Sequence, residues 1–355
     1  MDGLPTRLQD LLTRFRAGQR LALARAISVV ENEREGFQEL LHAVISHGLR
    51  AERVGLTGPP GAGKSSLVAA LATHYRARNE EVGVVAVDPS SPYSGGALLG
   101  DRIRMNDLAT DPGIFIRSMA TRGSLGGLAT TTKEVIDLMD GFGFPRVMVE
   151  TVGVGQTELE VTSAADTVIV VLVPESGDGV QAMKAGLMEI ADIFVVNKAD
   201  RPGADRLLKE LSMAIHLRAG ETLREIPAHH GVDMGAAVRA RGGAREPRRY
   251  EKPEGWQIPV LATEAQNGKG IPELADAIAA HRAHLLASGE LEERRRRRAE
   301  IRVRDVVARE LRRVAWRAVA GDSLREGLDR IVAGEESPYS LAQRFVSDIL
   351  GKAGE

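Results

Sequence analysis

Apolar positions recur at helical spacing at both ends of the chain and gather into short β-branched runs between them. Over residues 1–48, Leu4, Leu8, Leu11, Leu12 and Phe15 fall mostly three or four apart, and Gly18 interrupts the pattern. A second helix is predicted through RLALARAISVVEN, with Leu23, Ile27 and Val30 on its apolar side, and a third over about 37–47. From residue 52 the period changes. RVGLT (53–57), VGVVAVD (82–88), IFIRS (114–118), RVMVE (146–150), TVIVVLV (167–173), DIFVVN (192–197) and IPVLAT (258–263) are strand-length runs. Most lack strict polar alternation, which suits strands covered on both faces. Helix-like segments separate them, so the expected fold is α/β, a doubly wound and mainly parallel sheet over residues 49–285. Residues 286–355 return to helical spacing, with Val303, Val306, Val307, Leu311 and Val314 on one side of a charged helix. A last helix is predicted after Ser337-Pro338, with Leu341, Phe345 and Ile349 four apart. The Gly-, Pro- and Arg-rich stretch 235–257 reads as an exposed connection.

Composition narrows the class. With 355 residues, 43% hydrophobic and 27% charged, the chain is of ordinary globular type and long enough to bury a large core. It has no cysteine, which excludes disulfides and thiolate metal sites and fits a reducing compartment. A net charge of −2 gives no global attraction to nucleic acid or membrane. The first residues lack the apolar run of a signal peptide, and no stretch has the length of a membrane span. A cytoplasmic protein is expected, with neither nucleic acid nor membrane as partner. Arg294–Arg298 are five arginines in a row, flanked by acids, and read as an exposed helix face or a dimer-arm surface. Trp256 and Trp316 read as packing residues.

The chemistry begins after the first strand. Gly58-Pro59-Pro60-Gly61-Ala62-Gly63-Lys64-Ser65 fits G-x-x-x-x-G-K-[ST] between a strand and an apolar helix, with Ser66 next in line. Glycines let backbone N–H groups turn inward around phosphate oxygens, and the helix N-terminus adds partial positive charge. Lys64 is expected at the β and γ phosphates, and the Ser65 hydroxyl on magnesium. Asn197-Lys198-Ala199-Asp200 follows a later strand. Guanine presents N1–H and a 2-amino group side by side, and the Asp200 carboxylate can accept from both. Adenine offers no such pair of donors. Asn197 would hold the loop, and the Lys198 stem would lie along the ring. After the last strand, ATEAQNGKG (262–270) is placed to close over the base through Glu264 and Ala265, with Glu264 standing where such loops usually carry serine.

Acids at strand ends are the metal candidates: Asp88, Asp101 and Glu150, together with Ser65, are hard oxygen donors of the kind magnesium prefers. Gly153 leaves backbone free to approach the γ phosphate. Phosphoryl transfer to water depends on positioning and charge neutralisation, supplied here by Lys64 and magnesium. Gln156, Asp178 and Lys184 are the candidates for orienting water or completing the site.

DPSSPYSGGALLGDRIRM, FIRSMATRGSLGGLA, ETVGVGQTE, GDGVQAMKAGLMEIADIFVVNKAD and the N-terminal ALARAISVVEN together resemble the MeaB/ArgK family of P-loop GTPases. The resemblance runs from about residue 18 to at least 285 and continues more weakly beyond. It implies binding of GTP and GDP with magnesium, and GTP hydrolysis. It also implies association with an adenosylcobalamin-dependent acyl-CoA mutase, chiefly methylmalonyl-CoA mutase, whose cofactor loading and protection the GTPase serves. Residues 1–48 are then a helical extension and 286–355 a helical arm for homodimerisation. The alternative is a small-molecule kinase or transport-associated ATPase, a label also given within this family. A nickel-delivery GTPase would call for Cys/His clusters that this chain lacks.

Overall fold

The computed structural model describes residues 4–88, 108, 110–120, 130–151, 161–174, 186–218, 255–319 and 321–352. It divides into two compact units, Met1–Arg295 and Arg296–Glu355. In the first, helices α1 (Thr6–Arg16), α2 (Arg20–Glu31) and α3 (Phe37–Ile45) precede strand β1 (Glu52–Thr57). Then come α4 (Lys64–Arg76), β2 (Val82–Asp88), β3 (Ile114–Ala120), α5 (Thr130–Phe142) and β4 (Arg146–Glu150). β5 (Thr167–Leu172), α6 (Leu187–Ile190), β6 (Ile193–Asn197), α7 (Ala204–Arg218), β7 (Val260–Thr263) and α8 (Ile271–Ser288) complete it, followed by the start of α9 (Glu290–Val319). The sheet order is β3-β2-β4-β1-β5-β6-β7, and the strand pairings are parallel. This is the doubly wound sheet expected from the sequence.

The apolar strands are explained by their two faces. In β5, Val168, Val170 and Leu172 join one core cluster while Ile169 and Val171 join the other. β6 divides in the same way, Phe194 and Val196 to one side and Ile193 and Val195 to the other. Successive side chains point to opposite faces, so a strand covered by helices on both sides needs an apolar residue at every position. α4 and α8 contribute to one layer, and α1, α2, α3 and α5 to the other.

The N-terminal helices therefore share the core of the sheet. Leu8, Leu11, Leu12 and Phe15 form the buried face of α1, and Phe15 meets Phe142 of α5 edge-on, with ring centroids 5.2 Å apart. Arg20 of α2 donates to the Ile114 carbonyl at 2.5 Å, and Glu31 at the other end of that helix pairs with Arg117 of β3. Leu23 and Ile27 between them are fully buried. Truncating either to alanine would cost about 2–5 kcal/mol.

At the opposite edge of the sheet from the phosphate loop, a polar cluster is buried under the start of α9. Asp192, which precedes β6, accepts from Arg294 through both oxygens, at 2.8 and 2.9 Å, and from the Val168 amide at 2.8 Å. His281 of α8 is fully buried. Its Nε2 stands 3.3 Å from Asp192, and its Nδ1 lies 2.9 Å from Thr167 Oγ1. Trp256 packs against His281, ring centroids 4.8 Å apart, and donates to the Asp192 carbonyl at 2.7 Å, so its expected packing role is met. Burial opposes ionisation of Asp192, but His281 and Arg294 outweigh it and hold this carboxyl below the ordinary carboxylate range. Arg295 donates to the Leu49 and Ala51 carbonyls. The arginine run is thus not one exposed face: its first two members turn inward because unpaired buried carboxylates at Asp166 and Asp192 would be costly.

The second unit comprises the rest of α9 with α10 (Asp322–Val332) and α11 (Pro338–Lys352). Leu341 of α11 is buried, and Glu336 bridges Arg330 and Arg344. Val303, Val307, Leu311 and Val314 lie on one stripe of α9 and are between 50% and 65% exposed. Trp316, expected to pack, is also exposed. Among the described residues no helix is long and apolar enough to cross a membrane. Most of the stretch 235–257 lies outside the described residues.

Candidate nucleotide site

β1 lies between β4 and β5 in the sheet, and its carboxyl end opens into the glycine loop. In doubly wound sheets this edge is where ligands bind. Gly58 has φ +135°, and a Cβ there would stand 2.1 Å from the Val171 carbonyl of β5, so only glycine lets the loop leave the strand this close. Gly63 has φ +85° and caps α4; a Cβ on it would meet the Asn197 amide nitrogen at 2.4 Å. Lys64 and Ser65 open α4 and are both buried. The Lys64 ammonium donates to the Gly58 and Pro59 carbonyls at 2.8 and 3.0 Å, which holds it across the loop. A helix N-terminus beside a held ammonium suits phosphate anions.

Ser65 Oγ donates to Glu150 Oε1 at 2.6 Å. The β1–β4 register makes this contact: Leu56 pairs with Glu150, so the last residue of β4 lies beside the start of α4. A hydroxyl and a carboxylate within one hydrogen bond are hard oxygen donors, a set that fits magnesium. Among the described residues no group of three or more His, Asp or Glu is placed to hold a metal. Asp88 ends β2, two residues beyond the position where Ala86 pairs with Glu150. Asp101, Gly153, Gln156, Asp178 and Lys184 lie outside the described residues.

The other side of the phosphate loop meets the loops after β6 and β7. Asn197, buried at the end of β6, donates from Nδ2 to the Ala62 carbonyl at 2.9 Å. Its Oδ1 accepts from Thr263 Oγ1 at 3.1 Å and from the Ala265 amide at 3.2 Å. The Ala199 amide donates to the Thr263 carbonyl at 3.0 Å. Lys198, between them, has φ +56°, a left-handed conformation costing a side-chain-bearing residue roughly 1–2 kcal/mol. It turns the chain so that Lys198 and Asp200 line one cleft with Gly63 and Ser66. Ala265 closes the far wall. The cleft therefore places the Asp200 carboxylate across from the end of the phosphate loop, where Gly63 and Ser66 stand.

Glu264 also lines the cleft, but its carboxylate is engaged within its own loop. It accepts from Asn267 at 2.8 Å and Lys269 at 3.0 Å, and its backbone bridges Lys269. Those hydrogen bonds, Asn267 first, hold its carboxyl below the ordinary glutamate range. Where a serine would serve the loop through its hydroxyl, this glutamate braces it as an ion pair. Arg201, Gln266 and Asn267 also reach the cleft. The sequence reading missed them; the NGK turn that follows Glu264 was the available signal for Asn267.

Residues 23–320 match the family described as methylmalonyl Co-A mutase-associated GTPase MeaB. The chain belongs to the MeaB family. A Pyrococcus abyssi protein named as a GTPase is 43% identical over 344 residues, 97% of each chain. The mouse protein named methylmalonic aciduria type A homolog, mitochondrial, is 36% identical over 299 residues, 80% of this chain and 65% of its own. The solved structure of a protein named LAO/AO transport system kinase shares 27% identity and a TM-score of 0.64 over 97% of each chain. This MeaB-family chain is a GTPase, and its family carries a guanine nucleotide on the P-loop fold.

Proposed function

We propose that this GTPase is a nucleotide-driven chaperone for an adenosylcobalamin-dependent acyl-CoA mutase, with methylmalonyl-CoA mutase as the first candidate. It gates loading of the mutase with its cofactor and protects or reactivates the loaded enzyme. The match of residues 23–320 to a mutase-associated family carries the reading, and the name of the mouse relative agrees with it.

In this reading GTP lies along the carboxyl edge of the sheet. The loop amides and Lys64 hold its phosphates, and Asp200 accepts from the guanine edge. Ser65 and Glu150 hold magnesium, with Asp88 and Asp101 as further acids. Magnesium held by Ser65 and Glu150 would supply charge neutralisation for phosphoryl transfer. Water attacks the γ phosphorus, the bond to the β-phosphate oxygen breaks, and GDP and phosphate leave. Lys64 follows the phosphate charge through this transfer. Gly153 is the residue we assign beside the γ phosphate, and Gln156, Asp178 and Lys184 are the candidates for orienting water or completing the site. In this reading intrinsic turnover is slow and the mutase accelerates it. The exposed stripe Val303, Val307, Leu311 and Val314 supports homodimerisation through residues 286–355, since such a stripe seeks an apolar partner. The protein acts in the cytoplasm.

The solved relative is named a transport system kinase, which favours a second reading, a small-molecule kinase or transport-associated ATPase. Asp200 in the base cleft weighs against it, because adenine lacks the donor pair a carboxylate reads. Steady-state hydrolysis of GTP and ATP in parallel, with and without purified methylmalonyl-CoA mutase, separates the two. Stimulation of GTP turnover alone is expected. Faster ATP turnover, or fast GTP turnover untouched by the mutase, would overturn the chaperone reading.

A further inference from the structure

A second concave surface lies away from the nucleotide site, between α1 and α2. We propose that this groove docks an acidic, apolar-faced helix of the mutase. The inference rests on the chaperone reading and adds to it the surface that makes the contact.

Four arginines rim the groove: Arg7 and Arg14 on α1, Arg25 on α2 and Arg34 just beyond it. One acid, Asp10, shares the rim, and Arg14 pairs with it at 3.1 Å. Arg7, Arg25 and Arg34 have no ion-pair partner among the described residues. Four positive charges against one negative leave the rim at +3, in a chain whose formal net charge is −2. The excess is local and has no counterpart in the molecule as a whole. An ordinary solvated helix face interleaves its charges, as Asp10 and Arg14 do; the other three arginines break that habit.

Between these charges the groove is apolar. Leu11 and Ala22 form its floor, and Leu21, 64% exposed, stands at its edge. An amphipathic helix seats its apolar side in such a groove and sets carboxylates against the arginines flanking it. Guanidinium groups suit the role, because they are weakly hydrated and fork onto carboxylates. A nucleic-acid backbone would satisfy the arginines but would offer nothing to cover Leu21. The mount is rigid: Arg20 and Glu31, at the two ends of α2, are tied to β3, so little ordering is left to occur on binding.

Calorimetry with the full chain and purified methylmalonyl-CoA mutase tests the assignment. The protein is compared as wild type, as the Arg7→Glu/Arg25→Glu/Arg34→Glu triple variant, and as the corresponding triple lysine variant. Charge reversal is expected to weaken binding by about tenfold or more, while the lysine variant stays within roughly fivefold of wild type. Wild-type affinity should fall as salt rises. Intrinsic GTP turnover and melting temperature should be the same in all three proteins. A reversed variant that binds as tightly as wild type would place the contact elsewhere and leave the chaperone reading standing. A wild type that does not bind the mutase would remove both. Retention of a DNA duplex by the wild type, lost on reversal with mutase binding intact, would assign the groove to nucleic acid and overturn the inference.

Discussion

Asn197 donates its side-chain amide to the Ala62 carbonyl at 2.9 Å, and so fastens the loop after β6 to the glycine loop that precedes α4. Its other side-chain atom accepts from Thr263 and Ala265, so one buried residue gathers three loops. Asn197→Ala leaves those buried partners unsatisfied, at about 1–3 kcal/mol. GDP and GTP are both expected to bind roughly tenfold or more weakly. Titration with a fluorescent guanine nucleotide measures it; unchanged affinity would show that the loops hold together without this residue.

Asp200 reads the guanine edge only if the donor pair faces it. Asp200→Asn should lower guanine nucleotide affinity by about 100-fold or more and transfer preference to xanthine, whose 2-position is an oxo group. Competition between GDP and XDP gives the ratio directly. Guanine preference retained by the variant would remove the base assignment.

Ser65 and Glu150 make a further prediction. Glu150→Gln keeps an acceptor for the Ser65 hydroxyl but removes the negative charge. The magnesium concentration for half-maximal GTP turnover should rise roughly 10- to 100-fold, while nucleotide affinity without magnesium changes little. An unchanged magnesium requirement would assign the metal to other acids.

The cluster beneath α9 predicts a stability effect independent of nucleotide. Asp192→Asn strips the charge that Arg294 and His281 face, and should lower unfolding free energy by about 3 kcal/mol near neutral pH. Asp192 has a depressed pKa in the folded protein. Its stabilisation is therefore complete above the unfolded value of about 3.9 and is lost as pH falls through the lower folded value. The gap between wild type and variant should be constant from pH 7 down to about 5 and close below 4. Denaturant titrations across that range check both the size and the sign.

What could be read in advance was local. The phosphate loop is one run of eight residues between a strand and a helix, and backbone geometry alone dictates its glycines. The same holds for the sheet, because strands buried on both faces announce themselves as unbroken apolar runs. The socket around Asp192 was not legible: Arg294 lies 102 positions away, and nothing in a string of five arginines says which two turn inward. Glu264 was noticed as a departure from serine, yet its ion pair with Lys269 depends on an antiparallel bridge that only the folded loop reveals. Trp316 misled for a related reason. Large aromatics usually pack within their own chain, and this one stands on a helix whose apolar side is left bare.

Asp192 and Asn197 stand at the two ends of one strand. Five residues of β6, about 16 Å of extended chain, separate the arginine socket from the corner that carries Asp200. β5 and β7 hold that strand along both edges, so it behaves as a stiff rod and has little room to stretch or slide alone. One rigid strand thus joins the socket that anchors the root of α9 to the corner where Asn197 gathers the neighbouring loops.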